Sequence, residues 1–331
     1  MFGETIALVV AVLWTTGALF GELASKQLGA LQLNVIRMML SLIMLGTALW
    51  FMVGHPYPYL ADGQTWLWMA LSGFMGFGFG DYFLFNSYIL IGSRFSQLFM
   101  TLASPFAAIT AWLLLGERMS GLATLGMIIC IVGIGMSILS KKGTDAPTND
   151  GKQKKRSNPG PSHIVFRPLH LGTKLPAKGI IFGIGAALGQ GVGLVLSKVG
   201  LEHYTATATF NGTIGTFVYP VGGTMIRVST GLLCFLLLLL LKRKASRLKT
   251  AVQDRRGMKY AFWATLLGPT VGVSLSLLAI QYAKAGVAQT IMSLTPILII
   301  WPSHVLFKTK VTSLEIVGAI IAVIGVTLFF I

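Results

Sequence analysis

The chain reads twice, and this repetition limits its fold more than any single motif. Gly17-x-x-x-Gly21-x-x-x-Ser25-Lys26 returns as Gly189-x-x-x-Gly193-x-x-x-Ser197-Lys198. Gly76-x-x-x-Gly80 returns as Gly268-x-x-x-Gly272, and Gln97 and Gln289 follow at identical spacing. Gly126-x6-Gly133 matches Gly318-x6-Gly325. Each half contains five apolar stretches. Five is odd, so a second half built like the first meets a bilayer from the other side and crosses it in the opposite sense. The expected fold is therefore an all-α membrane protein with ten transmembrane helices in two inverted five-helix repeats. The divisions are 1–140 (helices 1–5), a basic linker at 141–177, and 178–331 (helices 6–10). Segment 201–218 has no counterpart in the first half.

Composition agrees with a bilayer setting. Hydrophobic residues make up 54% of the chain and charged residues 11%, too little charge to cover a soluble surface. A stretch of about 20 apolar residues spans the hydrocarbon layer. Such stretches lie near 5–25, 32–53, 66–91, 94–115, 120–139, 178–198, 222–241, 259–282, 286–307 and 312–331. The alternation of a membrane β-barrel is absent. No Lys or Arg precedes the first stretch, so it reads as a retained helix rather than a secretory signal. Cys130 and Cys234 lie inside apolar stretches and imply no disulfide framework.

The net charge of +16 is concentrated in two loops, 141–178 with Lys152, Lys154, Lys155 and Arg156, and 242–259 with Lys242, Arg243, Lys244, Arg255 and Arg256. Without a groove-reading element or interleaved aromatics these blocks do not point to nucleic acid. Between membrane spans they set topology and touch anionic lipid. Loops on one side of the bilayer carry 21 of the 26 Lys and Arg residues. Positive loops stay in the cytoplasm, so charge predicts that both termini lie on the opposite side of the plasma (inner) membrane. The linker 141–177 is polar and reads as disordered. Segment 201–221, with Asn211, Gly212, Gly215, Pro220 and Gly222, reads as a loop with room for a short interfacial helix.

Polar residues inside the spans carry the functional argument, because each is costly there. Asp81 lies well inside the third span, about 14 Å from its Leu90 end at 1.5 Å per residue. It reads either as a contact for a substrate amine or as a proton-coupling site, against a structural pair with Arg37. Glu22 sits one turn before Lys26, which offers an i, i+4 pair or a cavity role. Arg37 and Arg227 hold equivalent places in spans 2 and 7 and read as architectural. Trp14, Asn86, Gln97, Gln190, Gln281, Tyr282 and Gln289 complete the candidate substrate or coupling set. Gln97 and Gln289 form a symmetric pair, although each alone is equally well read as interhelical glue. Pro105 and Pro296 are expected to bend spans 4 and 9 at matched positions. The glycines of spans 5 and 10 form stripes that pack either within one chain or between two copies. Gly76-Phe77-Gly78-Phe79-Gly80 lacks a preceding strand and reads as packing rather than a phosphate loop.

These motifs, in this order, resemble the EamA type of the drug/metabolite transporter superfamily. The resemblance rests on Leu13-Trp14, Ile36-Arg37, Leu102-x-x-Pro105, Leu114-Leu115-Gly116-Glu117 and Gly126-x6-Gly133 followed by Gly135. It implies a basket of ten helices around a cavity lined by spans 1, 3, 4, 6, 8 and 9, with spans 5 and 10 outside. It also implies a carrier of amino acids, other metabolites, drugs or nucleotide sugars, often an exporter and in some members proton-coupled. One departure is Phe307-Lys308, where such chains usually have Gly-Glu at the end of span 9. Members also usually keep both termini in the cytoplasm, against the charge count.

The expected function is a secondary transporter moving a small polar metabolite, an amino acid or relative, outward by alternating access, with or without proton coupling. Its partners would be that substrate and the lipid bilayer, as a monomer or homodimer, with no cofactor or metal. A multidrug or cation efflux carrier is the alternative within the class. An intramembrane enzyme is the rival outside it, but H-E-x-x-H and G-x-S-x-G are missing. His55, His163, His170 and His203 fall in expected loops, and only His304 falls in a span. A receptor without transport would leave Asp81 without a purpose.

Overall fold

The computed structural model describes residues 1–139, 176–210, 212–243, 245–299, 302 and 313–328, and the regular structure among them is helical. α1 (Phe2–Leu28) and α2 (Ala30–Val53) are joined by Gly29 alone. Its φ of +84° suits glycine and turns the chain back on itself. α3 (Gly63–Gly73) starts on Asp62, whose carboxylate accepts from Thr65 N at 3.0 Å. The Thr65 hydrogen bond, aided by His203, holds the Asp62 carboxyl well below the usual carboxylate range. α3 passes through a π-helical segment, Phe74–Asp81, into α4 (Tyr82–Met100), which breaks at Gly92, φ +79°. α5 (Ala103–Leu115) and α6 (Gly121–Leu139) follow.

The second part begins with α7 (Ala177–Thr207), α8 (Gly212–Leu241) and a short basic helix, α9 (Ala245–Gln253). α10 (Arg255–Thr265) runs through a second π-helical segment, Leu266–Thr270, into α11 (Val271–Tyr282). α12 (Ala285–Met292), α13 (Thr295–Leu298) and α14 (Ser313–Thr327) complete the described helices. The π segments start as far apart in sequence as Gln97 and Gln289, a correspondence the residues alone do not announce. In the second, Pro269 has no N–H for the helical ladder, and the helix widens around it.

Among the described residues, six helical runs are long and apolar enough to cross a bilayer: Phe2–Leu28, Ala30–Val53, Phe95–Leu115, Ala177–Thr207, Ile214–Leu241 and Arg255–Tyr282. Shorter apolar helices occupy Gly121–Gly133 and Ala285–Leu298. The outer surface presents Phe51, Leu113, Leu233 and Leu241, while Arg37, Asp81 and Arg227 are buried. Apolar outside and charged inside is stable only where the surroundings are lipid.

Cross-packing follows the repeat. α1 lies against α10 and α11, and α7 against α3 and α4; α2 meets α8, α5 meets α12, and α6 meets α14. The contacts run antiparallel. A methyl at Gly46 would meet Met225 and one at Gly231 would meet Met38, while Ser104 bonds Ser293 and Gly286 faces Ala108. Between α6 and α14 the glycine stripes face each other within the chain. A methyl at Gly126 would stand 2.6 Å from the Gly325 carbonyl, and one at Gly133 2.6 Å from that of Gly318.

Backbone contact of this kind gives a direct test. A methyl at Gly189 would lie 2.7 Å from Gly80 Cα and 2.7 Å from the Met75 carbonyl oxygen. Neither is a side chain that can swing away. Gly189→Ala is expected to cost about 1–3 kcal/mol, while Gly135→Ala, which meets nothing within 4 Å, should leave stability unchanged or raised. Thermal unfolding of both variants in detergent reads the difference, and equal melting temperatures would contradict the packing described.

Several expectations change. Segment 201–221 is not a loop: α7 continues to Thr207 and α8 begins at Gly212. Edge-to-face ring contacts among Tyr204, Phe210 and Tyr219, with Tyr219 Oη donating to the Ala208 carbonyl at 2.8 Å, hold the end of α7 against α8. His203 is accordingly helical and pairs with Asp62 at 2.8 Å. Pro105 and Pro296 each lie just past an interruption of the span they were expected to bend. Spans 4 and 9 are interrupted by turns at Thr101-Leu102 and Ser293-Leu294, and each proline sits in the first turn of the next helix, where no backbone donor is needed. Most of the linker 141–177, including Lys152, Lys154, Lys155 and Arg156, lies outside the described residues, as do Asn211, Lys244, His163, His170, His304, Phe307 and Lys308.

Candidate functional site

Asp81 ends the first π segment and is 4% exposed. Its Oδ2 accepts from Arg37 Nη1 at 3.1 Å and its Oδ1 from Gln190 Nε2 at 2.9 Å. The pair with Arg37 is thus formed, and it opens onto a cavity. Arg37 Nη1 also donates to Asn34 Oδ1 at 3.0 Å, and its guanidinium lies 4.3 Å above the Phe85 ring. Gln190 donates as well to the Gly76 carbonyl at 3.1 Å. A carboxylate with both oxygens engaged, one by a cation, is affordable at this depth.

The cavity holds about 80 Å³, room for a handful of waters at about 10–15 Å³ each. Its polar lining is Arg37, Asp81, Tyr88, Gln97 and Gln190, with the Trp14 indole on one wall. Gln97 Nε2 donates to Tyr88 Oη at 2.6 Å. The repeat-matched glycines Gly80 and Gly272 make room for lining side chains. A methyl at Gly80 would sit 3.2 Å from Gln190 Nε2, and one at Gly272 2.7 Å from Trp14 Nε1. Matched backbone sites therefore carry unmatched side chains.

Of the expected site residues, Asp81, Trp14, Gln97 and Gln190 come together here. Asn86 does not; its amide donates to the Tyr82 carbonyl one turn back, at 2.6 Å. Gln289 is buried in α12 outside the lining. Gln281 and Tyr282 line a second cavity of about 200 Å³, with Lys198, Leu201, Glu202, Thr205 and Ile280. Glu22 binds Lys26 and accepts from Ser93 N at 2.8 Å, so it caps the helix that restarts after Gly92. The lining therefore takes α2 in place of span 9, against what the resemblance implied, because Arg37 reaches across to Asp81. Phe77, Phe85 and Tyr88 were not anticipated. A signal existed: Asp81, Leu84, Phe85 and Tyr88 fall at i, i+3, i+4 and i+7, one helix face.

The two cavities lie on opposite sides of a packed partition. Along α7 the sequence runs from Gln190 in the first cavity, through buried Leu194, to Lys198 and Leu201 in the second. Along α11 it runs from Val273 through Leu277 to Ile280. Eight residue steps of helix from Gln190 to Lys198 make the partition about 12 Å thick. Its far edge is tied by Glu117, whose Oε1 binds Lys198 and whose Oε2 accepts from Ala285 N at 3.0 Å. Lys198 also donates to the Ala283 carbonyl at 3.1 Å.

Comparison with known proteins fits this architecture. The model of the EamA-like transporter family matches residues 1–139 and 177–331. The chain belongs to the EamA-like transporter family. It is thus a multi-pass membrane protein of a family of transporters, not of enzymes. No curated protein matched the sequence. Among the proteins of known structure that are similar in fold, one crystal structure has a TM-score of 0.62 at 14% identity over 99% of this chain and 96% of the other. At that identity the likeness concerns the fold alone.

Proposed function

We propose that this EamA-like protein is a secondary transporter that carries a small polar metabolite, an amino acid or a close relative, out of the cell by alternating access. The observation that carries the reading is a polar cavity separated from a second cavity by a tied, packed partition. Such a partition is what a carrier must open on one side after closing on the other. In this proposal the chain crosses the plasma membrane ten times as two inverted halves, 1–140 and 178–331. The antiparallel packing of α2 on α8, α5 on α12 and α6 on α14 supports that inversion, since each pair joins repeat-equivalent stretches. The basic loops face the cytoplasm and anionic lipid, which puts the Asp81 cavity on the cytoplasmic side of the partition.

The roles follow from position. Arg37 and Asp81, the latter held by Gln190, bind the charged groups of opposite sign on the cargo, Gln97 and Tyr88 orient its polar groups, and Trp14 covers its apolar part. The breaks at Thr101-Leu102 and Ser293-Leu294, bridged by Ser104 and Ser293 at 3.0 Å, supply hinges between the halves. A cationic drug is a weaker fit, because Asp81 already has Arg37 as its counter-ion. Purified protein in proteoliposomes should give saturable flux of labelled amino acids. Flux that rises linearly with concentration and equals that of protein-free vesicles would end the transporter reading.

A further inference from the structure

We propose that the cavity takes its cargo by a carboxylate group, received by Arg37 with Arg227 as the balancing charge. This rests on the cavity being the transport site and goes further by naming the group it binds. The argument is one of charge and of orphaned donors. Arg227, from α8, is 3% exposed, and its Nε and Nη1 are buried without a hydrogen-bond partner. Its guanidinium lies 5.2 Å from the ring of Phe77, a cavity wall, and a methyl at Gly76 would come within 2.9 Å of Nη2. Arg37 lines the cavity directly, and its Nε is likewise buried without a partner.

The arrangement repeats across the two halves. Arg37 rests on Gly268 as Arg227 rests on Gly76, each in a π-helical segment of the other half. Asp81 is the one acidic side chain lining the cavity. Two buried guanidiniums thus have one buried carboxylate to balance them, leaving one positive charge and three donor nitrogens unanswered in a low-dielectric setting. Buried donors are nearly always satisfied, and an uncompensated buried charge is strongly unfavourable. A planar anion in the cavity offsets the excess charge of both arginines and can accept from Arg37, which lines it, and a carboxylate matches guanidinium geometry. A cation in the same place would add to the excess.

The test uses purified full-length protein in chloride-free detergent buffer, with thermal unfolding as the readout. The probes are propionate, alanine, alaninamide and chloride. Propionate and alanine should raise the melting temperature, while alaninamide, which lacks the carboxylate, and chloride should not. Arg227→Gln should weaken propionate binding about tenfold, the loss of one charge-assisted interaction, while Arg227→Lys keeps the charge and most of the affinity. The lysine variant also guards against a glutamine variant that fails to fold. Stabilisation by alaninamide or chloride equal to that by propionate would overturn the proposal, as would an unchanged propionate affinity in Arg227→Gln. The two readings separate cleanly. Carboxylate binding without saturable flux removes transport and leaves the site; saturable flux of a cation removes the site and leaves transport.

Discussion

Asp81→Asn is expected to lower stability by about 3–5 kcal/mol, the usual cost of breaking a buried ion pair by removing one partner, and to abolish flux. The asparagine keeps the shape of the side chain and a hydrogen-bond acceptor for Gln190 or Arg37, so the loss isolates charge. What it leaves behind is Arg37 and Arg227 buried without a carboxylate to balance them. Arg37→Gln in the same background removes half of that excess and should recover part of the stability. The double-mutant cycle then reports a coupling of at least about 1 kcal/mol. Thermal unfolding measures the cycle, and flux in vesicles measures the activity. If the single variant unfolds within a degree of the parent protein, the ion pair is not what holds the π segment against α2.

The repeat was legible because glycines that admit a neighbouring backbone leave spacing as their trace. Gly189 against Gly80 and Gly126 against Gly325 are contacts in which any side chain would collide, so the residue type itself records the geometry. Asp81 was legible for the opposite reason, since its burial cost stands out in an apolar stretch. The π segments left a fainter mark. Pro269 hints at one, but Phe74–Asp81 contains no proline, and its register depends on Arg227 and Gln190 packing in from other helices. The continuation of α7 to Thr207 was hidden because turn-forming residues around 211–222 dominate the local reading. Tyr204, Phe210 and Tyr219 decide the matter through contacts that no local pattern encodes.

Glu22 shows how a symmetric design survives an asymmetric sequence. Lys26 and Lys198 are repeat-equivalent, and Ser93 and Ala285 each stand four residues before the matched glutamines. Both lysines bind a glutamate, and both glutamates accept from the first amide of the helix restarting there. On one side the glutamate is Glu117. The corresponding position in the second half, counted from Pro296 as Glu117 is from Pro105, is Lys308. Glu22, from α1, does on the other side what a glutamate there would do. Both lysines therefore have a carboxylate, although the sequence position that corresponds to Glu117 is a lysine. One consequence is mechanical. Glu117 ties the first half to the second, whereas Glu22, Lys26 and Ser93 all belong to the first.

Glu117→Gln is therefore expected to loosen the partition and Glu22→Gln is not. The variant leaves Lys198 without its carboxylate, although Lys198 keeps the Ala283 carbonyl and borders the second cavity, where water reaches it. The effect should fall below that of a fully enclosed pair, about 1.4 kcal/mol, or tenfold in the population of the opened state. Leu277 is fully buried in the partition. Leu277→Cys, placed in a chain whose Cys130 and Cys234 have been changed to serine, reports opening through its rate of labelling by a membrane-impermeant maleimide. Added from the side away from the basic loops, the reagent should react about tenfold faster in Glu117→Gln. Removing Lys198 as well, by Lys198→Gln, should return the rate toward that of the parent, since no charge is then stranded. Equal labelling in the parent and Glu117→Gln, or an equal rise in Glu22→Gln, would mean that this ion pair does not hold the halves together.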